Sequence, residues 1–109
     1  MAHVQDDEAY EILGPAVDAA IQRASVARFS TRGLIEFMRA IPEGETAYDA
    51  AMAAIIDEAG SDHMARMIIH GQVVPGLLRR SPRVRFAGFI HGNAAEDDGF
   101  GVPSWWRKV

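Results

Sequence analysis

The sequence predicts a helix-rich α+β fold with four or five helices and a C-terminal β-hairpin. Apolar residues recur at helical spacing in successive stretches as far as Arg80, and capping residues, glycines and prolines mark where those stretches begin and end. After Pro82 the apolar period changes to two, the spacing of a half-buried strand.

Over residues 6–24 the positions Leu13, Val17, Ala20, Ile21 and Ala24 fall on one stripe of an α-helix. Gly14-Pro15 interrupts that stripe. Proline has no amide hydrogen and its ring clashes with the carbonyl four residues back, so a fresh helix starting at Pro15 is predicted. This stretch, about 5–26, stands as an N-terminal helical extension available for packing or for homodimer formation. Ser30 and Thr31 are candidate caps of a second helix, with Leu34, Phe37, Met38 and Ile41 inward and Pro42 and Gly44 as its stop. A third helix is expected from Thr46, where Asp49 is placed to reach back to the cap amide. Its stripe is Tyr48, Met52, Ile55, Ile56 and Ala59, and Gly60 ends it as a left-handed cap.

Ser61 or Asp62 caps a fourth helix carrying Met64, Met67 and Ile68 and closing at Gly71. Met38, Met52, Met64 and Met67 are all expected as core filler. A short fifth helix over 73–80 tolerates Pro75 in its first turn, turns Val74, Leu77 and Leu78 inward and leaves Arg79 and Arg80 outside. In the strand that follows, Val84, Phe86 and Ile90 alternate with Arg83, Arg85, Ala87 and Phe89. The acidic, glycine-bounded stretch 91–99 reads as a loop. Phe100, Val102 and Trp106 form the returning strand, which Pro103 confines to a sheet edge because it donates no ladder hydrogen bond.

Composition places the chain among globular proteins. It is 49% hydrophobic and 24% charged over 109 residues, which fits one domain with one core. Absence of cysteine excludes disulfides and thiolate chemistry, and a reducing, cytoplasmic setting is expected. The acidic N-terminus has no apolar segment of the kind a signal peptide needs, and no run is long enough for a membrane span. The net charge of −4 hides an asymmetry. Through Asp62 there are twelve carboxylates against four arginines; beyond it, seven cations face three carboxylates. Such a split steers one end of a molecule toward a polyanion, unless the two halves pair their charges with each other.

The order of elements, with Leu77-Leu78-Arg79-Arg80 closing a helix, Arg83-Val84-Arg85-Phe86-Ala87-Gly88-Phe89 as a first strand and Gly99-Phe100-Gly101-Val102 opening a second, resembles winged helix-turn-helix domains over about residues 34–109. The winged-helix-like part then begins near residue 30. This resemblance implies a small regulatory DNA-binding protein of double-stranded DNA, with Gln72, Arg79 and Arg80 presented by the recognition-type helix and Arg83 and Arg85 on phosphates. Two features depart from the pattern: Glu96-Asp97-Asp98 would place negative charge at the wing tip, and Pro75-Gly76 weakens the recognition helix. The alternative is a protein-interaction adaptor that offers the same arginines to an acidic partner without binding DNA. Trp105 and Trp106, beside Arg107 and Lys108, point to opposite faces of a strand, so either both pack over the end of the small core, the commoner arrangement for tryptophan, or one is core and its neighbour, Trp105, is available for a partner or a base.

Catalytic and metal chemistry find little footing. His63 and His70 are seven residues apart, about 10 Å along a helix, too far to share one ion without a further ligand such as His91 or Asp97. His63 reads as a first-turn polar residue and His70 as a cation-capable side chain near a helix C-terminus. Ser30, Ser61, Ser81 and Ser104 lie in no nucleophile-elbow setting, and Gly99-Phe100-Gly101 lacks the third glycine and the helix of a dinucleotide site. Glu43 and Glu45 in a turn read as solvated charge. No cofactor and no enzymatic activity are expected.

Overall fold

A computed structural model describes residues 4–89 and 104–109, with the side chains of 4–6 left aside. Five helices and three strands follow in the order α1 (Val4–Arg23), β1 (Arg28–Ser30), α2 (Thr31–Ala40), α3 (Pro42–Ala59), α4 (Asp62–Ile68), a π-helical turn (Ile69–Val73), α5 (Val74–Arg80), β2 (Val84–Phe89) and β3 (Ser104–Lys108). This is the helix-rich α+β class expected from the periodicities. Among the described residues no helix is long and apolar enough to cross a membrane.

Helix α1 runs straight through Pro15 rather than restarting there. Ala9, Leu13, Val17, Ala20 and Ile21 are all buried, so the apolar stripe spans both sides of the proline. Pro15 and Glu11 both lie on the exposed side, where water solvates the carbonyl that loses its donor. Far from being an appendage, α1 supplies five members of the one buried cluster that all the helices and the sheet share.

Helix α2 begins as expected, with Ser30 as N-cap accepting a hydrogen bond from the Gly33 amide at 2.9 Å. Leu34 and Met38 are inward, but Phe37 lies at the surface and Ile35 takes its place in the core. Pro42 and Gly44 do not form the expected turn. Pro42 opens α3 at its first position, and a Cβ at residue 44 would sit 2.0 Å from the Met38 carbonyl oxygen. Glycine there lets the first turn of α3 stack on the last turn of α2. Thr46 is consequently inside the helix, its hydroxyl bonded back to the Pro42 carbonyl at 3.0 Å. Gly60 ends α3 at φ 93°, the left-handed cap expected.

Ser61 caps α4, accepting from the Met64 amide at 3.1 Å. The helix does not close at Gly71. The π turn carries it into α5, with the Val74 amide reaching the carbonyl of Ile69 five residues back. Widening the turn makes room for the Pro75 ring, which would collide with the carbonyl beneath it in a regular helix. Inward positions on α4 are held by Ala65 and then Ile69, whereas Met64 and Met67 are 45% and 40% exposed and are not core filler. His70 is therefore not at a helix end. It is buried within the π turn, bonded through Nε2 to the Tyr48 hydroxyl at 2.7 Å.

The sheet is antiparallel with order β1-β3-β2, so β3 is the central strand and not an edge. Phe29 anchors β1, a three-residue strand too short for any periodic signal. Trp106 is buried as expected, but β3 starts at Ser104; Phe100, Val102 and Pro103, with the loop 91–99 and Ile90, fall outside the described residues. Strand β2 keeps its alternation only to Phe86. The register then shifts, Gly88 takes φ +105°, and Phe86 and Phe89 are 50% and 56% exposed rather than on opposite faces.

Candidate functional site

Three cross-strand rows define the sheet. Phe29, Trp106 and Phe86 are directly opposite one another on the face toward the helices, and Val84 faces Lys108 beside them. One residue along, Arg28, Arg107 and Arg85 are opposite one another and point away from the core. Trp105 shares that outer face, half-buried, with the Arg28 guanidinium carbon 4.2 Å from its ring centre.

The register that builds this row is pinned on the inner side. The Trp106 indole N–H donates to Thr31 Oγ1 at 2.8 Å and to Ser104 Oγ at 3.2 Å, and the two hydroxyls are themselves bonded at 2.6 Å. With Ser30 committed to capping α2, the β1–α2 junction holds β3 in one position, and a slip of one residue would reverse both faces. Neighbouring strands lie about 5 Å apart, so the row places three guanidinium groups across about 10 Å. Like charges directly opposite each other oppose sheet formation. Among the described residues no carboxylate is paired with Arg28, Arg85 or Arg107, whereas Arg32, Arg39 and Arg83 bond to Glu36, Glu45 and Asp18.

The cations expected to act together divide. Arg83 lies before β2, its Nε donating to Asp18 Oδ1 at 2.8 Å, and so joins the acidic front half to the basic back half. Arg80, at the end of α5, lies 4.6 Å over the Tyr10 ring. Arg79 is exposed beside a cleft lined by Pro75, Phe86, Phe89 and Trp106. Gln72 is exposed in the π turn and its carbonyl accepts the Tyr10 hydroxyl at 3.2 Å. Gly76, expected to weaken the helix, makes room for the same contact: a Cβ there would stand 2.5 Å from the Tyr10 hydroxyl, and the phenol would have to shift. Lys108 is spent on structure: its Nζ donates to the Ala24 carbonyl at 2.7 Å. Arg85, Arg107 and Trp105 come together, therefore, and the partner missing from the sequence reading is Arg28. Its strand is three residues long, and only pairing with β3 shows which way it faces.

A cleft of about 300 Å³ opens beside this face, between the α1–β1 connection and α2, lined by Val26, Arg28, Leu34, Phe37 and Trp105 among others. Elsewhere, each serine considered for nucleophilic chemistry has a structural bond: Ser30 and Ser61 cap helices, Ser81 accepts from the Arg83 amide, and Ser104 belongs to the hydroxyl cluster. Among the described residues no three metal-ligating side chains converge. The Arg39 guanidinium holds the Glu45 carboxyl below its ordinary range through two hydrogen bonds of 2.9 and 3.0 Å, and is itself shifted upward by that bond. It also lies 4.2 Å over the ring of Tyr48, so an ion pair, a buried phenol and His70 form one continuous contact chain that no sequence spacing announces.

The geometry defines a small α+β domain with an arginine-lined outer sheet face. No family model, characterised protein or solved structure matches the chain.

Proposed function

We propose that the protein binds DNA through phosphate contacts made by the outer face of its sheet, with Arg28, Arg85 and Arg107 as the principal cations; Arg79, beside the inner-face cleft, and Arg80, over Tyr10, lie off that row. The observation that carries this reading is the three-arginine row, whose mutual repulsion has no counter-charge among the described residues. A polyanion relieves that repulsion, and guanidinium groups bind phosphate with paired hydrogen bonds. The winged-helix-like reading gains support from an arginine-ended α5 leading into an antiparallel strand pair; the departure is the π turn that fuses α4 with α5. Arg83 and Lys108 are not assigned to the ligand because each is already bonded within the fold.

Fluorescence anisotropy of labelled DNA over a salt series tests this. Affinity is expected to fall steeply with salt, and Arg107→Ala to weaken binding and flatten the log–log slope by just under one. Lys108→Ala should leave the slope unchanged. DNA that stays unbound at low salt overturns the reading, and binding of polyglutamate in its place would transfer the surface to an acidic protein partner.

A further inference from the structure

We infer that the preferred ligand is single-stranded nucleic acid, one of whose bases leaves the stack and enters the cleft beside Trp105. This rests on the DNA-binding reading and goes beyond it by naming the form of the strand and the pocket for a base. Arg28 belongs to both features: it ends the arginine row and it lines the cleft. A phosphate held by the row therefore brings its own base to the cleft mouth. The walls suit a flat, uncharged ring, with Trp105 and Phe37 supplying aromatic surface and Val26 and Leu34 aliphatic surface. Among the described residues Arg28 is the one charged member of the lining, and none of them opposes the adjoining phosphate with a carboxylate. Phe37 and Val26 are 39% and 52% exposed, apolar surface that base contact would cover.

A paired base offers its flat faces only to its stacked neighbours, and extruding it costs the unpairing energy that a single strand has already given up. Stacking on an aromatic side chain is tolerant of base identity, because every base has a π face. By contrast, the similar cleft between α1 and α3 has no aromatic wall among the described residues and carries Glu43 as well as Arg23. The cleft lined by Phe86, Phe89 and Trp106 is aromatic too and has Arg79 beside it, but those residues belong to the sheet face opposite the arginine row; base capture is assigned to the Trp105 cleft because Arg28 both lines it and ends that row.

The test compares a labelled oligothymidylate with a duplex of equal length at one salt concentration. The single strand is expected to bind at least about tenfold more tightly, and Trp105→Ala to reduce that affinity about tenfold while changing duplex affinity less than about twofold. Trp105→Phe should keep most of the binding. Phe37→Ser alters the same wall from the helix side, away from the sheet, and should follow Trp105→Ala in direction. Tryptophan emission of the unaltered protein should be quenched by the single strand, and that of Trp105→Phe, reporting buried Trp106, should not. Equal affinity for the two forms, or equal losses in both on Trp105→Ala, overturns base capture and leaves phosphate binding standing. Failure of both forms to bind overturns the DNA reading itself.

Discussion

Arg39 and Glu45 show how a single contact acquires a pH dependence. The Glu45 carboxyl is held below its ordinary range chiefly by its hydrogen bond from Arg39, so the folded state favours the ionised form. That stabilisation is complete above the ordinary glutamate range and is lost as pH falls through the lowered folded value. Both side chains are about one-third exposed, which limits the contribution to on the order of 1 kcal/mol or less. Glu45→Gln should therefore lower the urea midpoint slightly at neutral pH, and the gap from the unaltered protein should close on acidification. A gap that persists at acid pH would assign the effect to something other than this ion pair. The paired arginines also sharpen what the outer-face arginines are. Arg28, Arg85 and Arg107 occupy an exposed row in which charge costs sheet stability, a cost that the proposed phosphate contacts would relieve.

Among the elements, α2 and α3 meet at a turn that the usual rules misplace. Proline and glycine in succession read as a break, yet proline suits the first position of a helix as well as the residues after one. The tertiary contact decides between these uses: the Met38 carbonyl occupies the space where a Cβ of residue 44 would stand. Gly44→Ala should consequently destabilise by about 2 kcal/mol or more, despite alanine's better helix propensity, as measured by urea unfolding. A neutral or stabilised variant would show that the two helices separate without strain. The π turn follows the same logic. Gly71 and Pro75 read as an end and a restart, whereas the backbone widens by one residue and continues.

At the scale of the whole molecule, Trp106 ties the parts together. It is fully buried, meets Phe86 edge-to-face at 5.6 Å, and hydrogen-bonds to Thr31 at the head of α2. Trp106→Ala should cost about 3–5 kcal/mol in a denaturant titration, enough to threaten the fold, whereas Trp105→Ala next to it should cost much less. Comparable losses for the two would contradict the assignment of inner and outer faces. The Arg83–Asp18 pair adds a link between the acidic front and basic back of the chain, so the charge asymmetry is in part internal pairing and in part an open surface. Internal pairing thus accounts for Arg83, and the polyanion reading rests on the outer-face arginines.

Local patterns in the chain specified the helix-rich class, the caps at Ser30, Ser61 and Gly60, the α1 stripe and the change to strand period after Pro82. These are legible because they depend on neighbours within a turn or two: a hydroxyl three residues from an amide, an apolar side every 3.6 residues. Assembly decided the rest. Whether a proline bends, starts or merely sits in a helix depends on which face is solvated, and whether a glycine ends a helix or admits another depends on what packs against it. The outer arginine row depends on strand pairing between residues nearly eighty positions apart, Arg28 with Arg107, and no spacing along the chain encodes that meeting.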